Sequence, residues 1–350
     1  MKFQLQRYPS PENPEPILTP RKEVEWEAKA VFNPSVVYDS NRKIFVMLYR
    51  TYPQITEETT VSKIHRPGFK LKNQISYIGY AESTDGINFK RRDDAFISPS
   101  EQYDMFGCED PRITKIDDTY YITYTAIDTL IDKKDPNIKI RIALATTKDF
   151  IDVEKHGIIG PPTRSKASAF FPENVNGGKI GLLMTISSDS TNSRVAIRYY
   201  DSMKEVMEQN EESWAKFLET SYDKAVLQTS WWLNRGPELG APPIKTDRGW
   251  LLIFSNESMS DSWTIGAALL DLDNPSRLIA RTPGYILQPV TNYEREGLVK
   301  NVTFPEGAVI VDDNLYVYYG CADTVIGLAT CKLNDLLDYI ETFKSQSQNN

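Results

Sequence analysis

Carboxylates are the plentiful reactive side chains in this chain, whose 350 residues hold 48 Asp and Glu but only two His and three Cys. His65 and His156 stand in no HExxH or Cys/His cluster, which leaves no zinc centre of the usual spacing. No GxSxG elbow, no GxxxxGK(S/T) loop and no GxGxxG before a helical stretch occurs. What remains is acid–base chemistry between carboxyls, one giving a proton and another taking one. The 19 Tyr, 14 Phe and 6 Trp add planar apolar rings, which beside carboxylates suit a sugar.

The candidate groups stand beside prolines at recurring positions. Asn33 precedes Pro34, Asp110 precedes Pro111 with Arg112 after it, Glu173 follows Pro172 and Glu306 follows Pro305. Each proline opens one phrase: a short apolar strand, an Asp/Asn/Gly turn, an aromatic strand, then a third strand. Ser35–Tyr38 with Ile44–Arg50, and Ala308–Val309 with Leu315–Tyr319, are two of five copies, whose prolines fall at 34, 111, 172, 243 and 305. Two strands joined by such a turn form a hairpin, and four-stranded units repeated five times form a propeller. The expected fold is all-β: a five-bladed β-propeller forming one catalytic domain over residues 1–350. In a propeller the innermost strands line an axial funnel, so Asn33, Asp110, Arg112, Glu173 and Glu306 converge there. Three carboxyls in one funnel should raise at least one pKa by mutual repulsion and burial, as a general acid requires.

Two segments break the strand pattern. Met203, Val206, Met207, Trp214, Phe217 and Leu218 recur at helical intervals, placing a helical insertion between blades three and four at about 202–223. A short C-terminal helix is expected at about 334–343, opened by Asn334 and carrying Leu336, Leu337 and Ile340. A formal charge of −8 argues against a nucleic-acid partner. No apolar run reaches the length of a membrane span, and Met1–Arg7 lacks a signal-peptide apolar region, so a cytoplasmic protein is expected, monomer or homo-oligomer.

The phrase Gly107-Cys108-Glu109-Asp110-Pro111-Arg112-Ile113-Thr114 resembles the signature of glycoside hydrolase family 130, the β-mannoside phosphorylases and β-mannosidases. The likeness runs from Phe32-Asn33-Pro34 through Phe171-Pro172-Glu173 and Tyr293-Glu294-Arg295-Glu296-Gly297 to Gly320-Cys321-Ala322-Asp323-Thr324. It implies the same five-bladed fold, a β-linked mannose oligosaccharide as substrate and Asp110 as general acid, acting through a mannose hydroxyl. It also implies that Asn33, Arg50, Arg112 and Asp323 hold the mannose, with Glu173 and Glu296 as further substrate contacts, and that neither metal nor organic cofactor is needed.

Phosphorylases of that family are distinguished by cations that hold phosphate, and here the matching regions depart. Leu183-Met184-Thr185-Ile186-Ser187 has no Arg, Asn234-Arg235-Gly236-Pro237-Glu238 brings in an acid, and Ser255-Asn256-Glu257 has Ser where a His is expected. Carboxylates repel phosphate but can deprotonate water. The preferred expectation is therefore an inverting hydrolase of β-mannosidic bonds, β-1,2-linked by resemblance. Glu257 or Glu238 serves as base, and Glu306 stands in reserve. The alternative is a phosphorylase with inorganic phosphate as co-substrate and mannose 1-phosphate as product. A second alternative is a non-catalytic carbohydrate-binding propeller.

Overall fold

The computed structural model describes residues 3–54, 59–60, 70–71, 75–128, 140–188, 190–208, 210–229 and 233–344. His65 lies outside them. Five antiparallel sheets form the blades, and in each the first strand of its segment lies innermost. Blade one is Ala30–Asp39, Ile44–Tyr52, Tyr77–Ser83 and Lys90–Arg91; blade two is Gly107–Ile116, Thr119–Ile127, Ile140–Thr147 and Glu154–Ile158. Blade three is Ser165–Phe170, Ile180–Ile186, Arg194–Tyr200 and Ala225–Gln228; blade four is Leu233–Leu239, Trp250–Ser258, Trp263–Leu270 and Leu278–Arg281. Blade five runs Thr303–Val311, Asn314–Cys321 and Val325–Lys332, and its outer strand is Gln6–Arg7 from the N-terminus. That borrowed strand closes the ring: Gln6 pairs with Thr330, and Arg7 reaches Glu294 at 2.7 Å.

The second strands read as nearly unbroken apolar runs because both faces of every blade are covered. Leu182 and Met184 point into a cluster with Ile142 and Leu144 of blade two, whereas Leu183 between them points to Leu239 and Leu252 of blade four. Comparable clusters fill the gaps between blades one and two, four and five, and five and one. The expected helical insertion is two helices, α1 Met203–Met207 and α2 Glu211–Thr220, capped by Ser202 and Asn210. It lies within blade three, between its third and fourth strands, rather than between blades three and four. Val206 and Trp214 pack on Tyr200 at the junction of blades two and three. After the single-turn α3, Asn292–Arg295, the C-terminal helix α4 spans Leu333–Glu341 and buries Leu336, Leu337 and Ile340 against blades four and five.

One buried charge cluster fastens the segment before blade one. Glu27, fully buried, is held by Arg21, by Arg91 at 3.1 Å and by the Tyr49 hydroxyl at 2.8 Å. Removing the carboxylate strands two cations in the interior. Glu27→Ala is therefore expected to cost about 3–5 kcal/mol, read as a lowered urea midpoint; a loss under about 1 kcal/mol would place the pair in effective contact with solvent.

Each innermost strand carries a β-bulge near its start. Register with the second strand slips between Phe32 and Pro34, Glu109 and Arg112, Lys166 and Ser168, Arg235 and Glu238, and Pro305 and Gly307. The residues left over are Asn33, Asp110 with Pro111, Ala167, Gly236 with Pro237, and Glu306. A bulge frees a residue from the ladder and re-aims its side chain. Asn33, Asp110 and Ala167 hold φ near +50°, which Asn and Asp tolerate better than other side chains.

Two of the five sequence repeats were out of phase with the blades. Blade three's bulge is at Ala167 and has no proline, so Pro172 and Glu173 fall beyond the far end of that strand. In blade four the repeat proline is Pro237, not Pro243.

Candidate active site

The bulges of blades one, two and five bring their polar residues together. Asn33 Nδ2 donates to Asp110 Oδ1 at 2.8 Å. Gly320 makes room for this contact, since a Cβ there would overlap Oδ1 of Asn33. Arg50, from the second strand of blade one, donates to Asp110 Oδ1 at 3.0 Å and to Glu109 Oε1 at 2.5 Å. Ser76 Oγ donates to the same Glu109 oxygen at 2.9 Å. The guanidinium also bonds the Tyr52 hydroxyl and lies 4.8 Å from the ring centre of Phe32. Asp323, in the last turn of blade five, is half-buried, and its charge acts on Arg50.

Electrostatics divide the carboxyls. Burial alone would push Asp110 upward, but Arg50, then Lys166 and Arg112, and the Asn33 amide hold it below the ordinary Asp value. Glu109 is raised by burial and by the neighbouring Asp110 charge, with Arg50 opposing. Burial lifts Glu306 well above the ordinary Glu value, and Asp110 adds to the rise. The expected repulsion between funnel carboxyls is present, yet Asp110 is the group kept ionised, because three cations surround it.

Several expected ligands are engaged with other protein groups. Arg112 is 1% exposed and works as a strut: it donates to the backbone carbonyls of Asp110 at 2.8 Å, Leu239 at 3.0 Å and Gly240 at 3.0 Å. It thereby ties blade two to blade four and fixes the Asp110 bulge. Glu173 is half-exposed and pairs with Lys245 at 2.5 Å, away from the funnel, because Pro172 is not a bulge proline. Glu296 is exposed on the loop before blade five, 3.7 Å from Lys300.

Both glutamates expected as bases are engaged. Glu257 is gripped by the fork of Arg235, Nη2 to Oε1 at 2.8 Å with Nε on Oε2, and Asn234 adds a bond at 3.1 Å. Glu238 is fully buried, with Lys166 Nζ 3.5 Å from Oε2. Lys166 is the partly exposed cation whose charge reaches Asp110 and Glu306 as well. Sequence reasoning passed over Lys166 and Glu109. Glu109 lay inside the quoted motif, next to Asp110, while Lys166 has no local signal and acquires meaning only once the blades close.

Among the described residues no group of three or more His, Cys, Asp and Glu gathers as a metal site, and no helix is long and apolar enough to cross a membrane. The arrangement offers a buried carboxyl braced by Asn33 and Arg50 of blade one, with the charge of Lys166 of blade three acting on it.

The model of glycoside hydrolase family 130, described as beta-1,4-mannooligosaccharide phosphorylase, matches residues 9–342. A 1,2-beta-oligomannan phosphorylase of Thermoanaerobacter sp. (strain X514) is 37% identical over 92% of this chain and 96% of its own. A beta-1,2-mannobiose phosphorylase of the same strain is 37% identical over 90% of this chain and 94% of its own. The solved beta-1,2-mannobiose phosphorylase from Listeria innocua, in complex with beta-1,2-mannobiose, superposes with a TM-score of 0.76 at 27% identity, covering 97% of this chain and 99% of that one. These relatives are named for phosphorolysis, the second of the readings above, rather than for hydrolysis. With its five blades, its Asp110 motif and a family match over nearly its whole length, the chain belongs to glycoside hydrolase family 130 and acts on β-mannosides.

Proposed function

We propose that this enzyme is a β-1,2-mannoside phosphorylase, which cleaves the terminal mannose of a β-1,2-linked oligosaccharide with inorganic phosphate and releases mannose 1-phosphate. The observation that carries the reading is the 37% identity, over nine-tenths of the chain, to two enzymes named for that reaction on β-1,2-mannosides. The site supports it, because Glu257 and Glu238 each lean on a cation and neither stands as a solvent-facing base.

Asn33, Arg50 and Asp323 hold the mannose hydroxyls, and Asp110 gives the proton that the leaving oxygen needs. Phosphate takes its place beside Lys166 and attacks the anomeric carbon from the face opposite the leaving group. One displacement inverts the centre, so the product is the α-anomer of mannose 1-phosphate. Phosphate brings its own nucleophilic oxygen, so no protein base is required. An anion beside Lys166 also offsets one of the charges that hold Asp110 low, so Asp110 picks up its proton as the ternary complex forms.

Linkage is tested by comparing initial rates on β-1,2- and β-1,4-mannobiose with phosphate present. The expected preference for β-1,2 is at least about tenfold, which is one well-placed contact in the transition state. Equal rates, or a β-1,4 preference, would overturn the linkage assignment.

A further inference from the structure

Glu306 is the carboxyl that the reaction leaves unused, and its setting is unusual. Its side chain is fully buried on the blade-five bulge. Neither carboxyl oxygen accepts a hydrogen bond among the described residues, although Oε1 lies 3.1 Å from Arg112 Nη2. Three of the five Arg112 N–H groups are directed at backbone carbonyls. An ionised carboxylate in such a place would lack the hydrogen bonds that make burial of charge tolerable.

The charge count of the funnel points the same way. Arg50, Arg112 and Lys166 supply three positive charges. Glu109, Asp110, Glu238, Glu306 and Asp323, which acts on Arg50, would supply five negative ones if all were ionised. The charged groups acting on Glu306 are Arg112 and Asp110 from blade two, Arg50 from blade one and Lys166 from blade three. Glu238 of blade four enters through Lys166. Within blade five, the hydroxyls of Tyr318 and Tyr319 are directed elsewhere, to Gly86 O and Glu294. A phosphate anion entering a funnel with a net negative floor meets repulsion, and one negative charge fewer lowers it.

We propose that Glu306 is held as a neutral carboxylic acid beneath Asp110, and that its neutrality is what admits phosphate to the site. It is a positioning residue that sets the local charge and touches neither sugar nor phosphate. Burial disfavours the ionised form there and raises its pKa above the ordinary Glu value. Ionisation there adds a negative charge close to the incoming anion and weakens its binding by about tenfold or more. This inference rests on the phosphorylase reading for its ligand but not for the state of Glu306.

The test is calorimetric titration of the whole enzyme with inorganic phosphate from pH 6 to 10, in the wild type, Glu306→Gln and Glu306→Met. Phosphate's own ionisation is common to all three. With Glu306 neutral, the wild type and the uncharged variants are expected to bind phosphate alike at neutral pH, and any additional alkaline loss belongs to the wild type alone. Binding by the folded uncharged variants at least about tenfold tighter than by the wild type at neutral pH would overturn the proposal. A second readout needs no phosphate and no variant that binds it. Infrared difference spectra at neutral pH, wild type minus either variant, should show a carboxylic-acid C=O band that moves to lower frequency in deuterated buffer. Absence of that band from the wild type would equally overturn the assignment. If phosphate binds none of the proteins while the band is present, the phosphorylase reading fails and the neutral Glu306 stands.

Discussion

Asp110→Asn is expected to reduce mannoside turnover by at least about 10²–10⁴-fold, the span associated with losing a positioned proton donor. The amide keeps an oxygen for Asn33, and Arg50 keeps its bond to Glu109, so the bulge and the sugar contacts persist. Initial rates, with binding of the disaccharide measured separately, check both halves of this expectation. Turnover within tenfold of wild type would remove Asp110 from the acid role. The same variant has a pH signature. Asp110 is held below its ordinary value of 3.8, so its ionisation adds stability that is complete above that pH and lost as pH falls through the depressed value. The variant should therefore unfold with a shallower acid dependence than the wild type.

The second large effect is expected at Lys166. If phosphate is held there, Lys166→Gln removes a charge-assisted contact worth roughly 1.5–3 kcal/mol. The phosphate KM should then rise about tenfold to a hundredfold, while the mannoside KM changes little. Lysine removal also leaves Glu238 buried without its cation, so Lys166→Gln combined with Glu238→Gln is the cleaner comparison. The double variant should recover stability but not phosphate affinity. Recovery of both would mean that Lys166 serves only to neutralise Glu238.

How far the sequence could be read depends on where each signal resides. Asn33 and Asp110 were legible because the bulge that frees them also places a proline next in line, and prolines punctuate strands. Glu306 was legible by the same mark. Blade three carries its bulge on Ala167 without a proline, so the nearby Pro172 was taken instead and Glu173 was assigned to the wrong end of the strand. Arg112 is expected as a sugar ligand by the family resemblance, and its type suits hydroxyls. Its burial is set by Leu239 and Gly240, more than 120 residues away, and nothing local reports that. The same holds for Glu257 and Glu238: as isolated acids they resemble bases, and only their pairing with Arg235 and Lys166 occupies them. The expectation of hydrolysis follows from the absence of the phosphate-holding cations in the matched regions, and Lys166, outside those regions, is the cation it does not count.

The nucleophile is the centre of the account, and one measurement addresses it. β-1,2-Mannobiose is incubated with the enzyme with and without inorganic phosphate, and the mixture is followed by phosphorus NMR alongside free mannose release. The expected result is one α-mannose 1-phosphate for each disaccharide cleaved and negligible cleavage without phosphate. Two free mannoses per disaccharide, formed at the same rate whether or not phosphate is present, would contradict it and return the enzyme to hydrolysis.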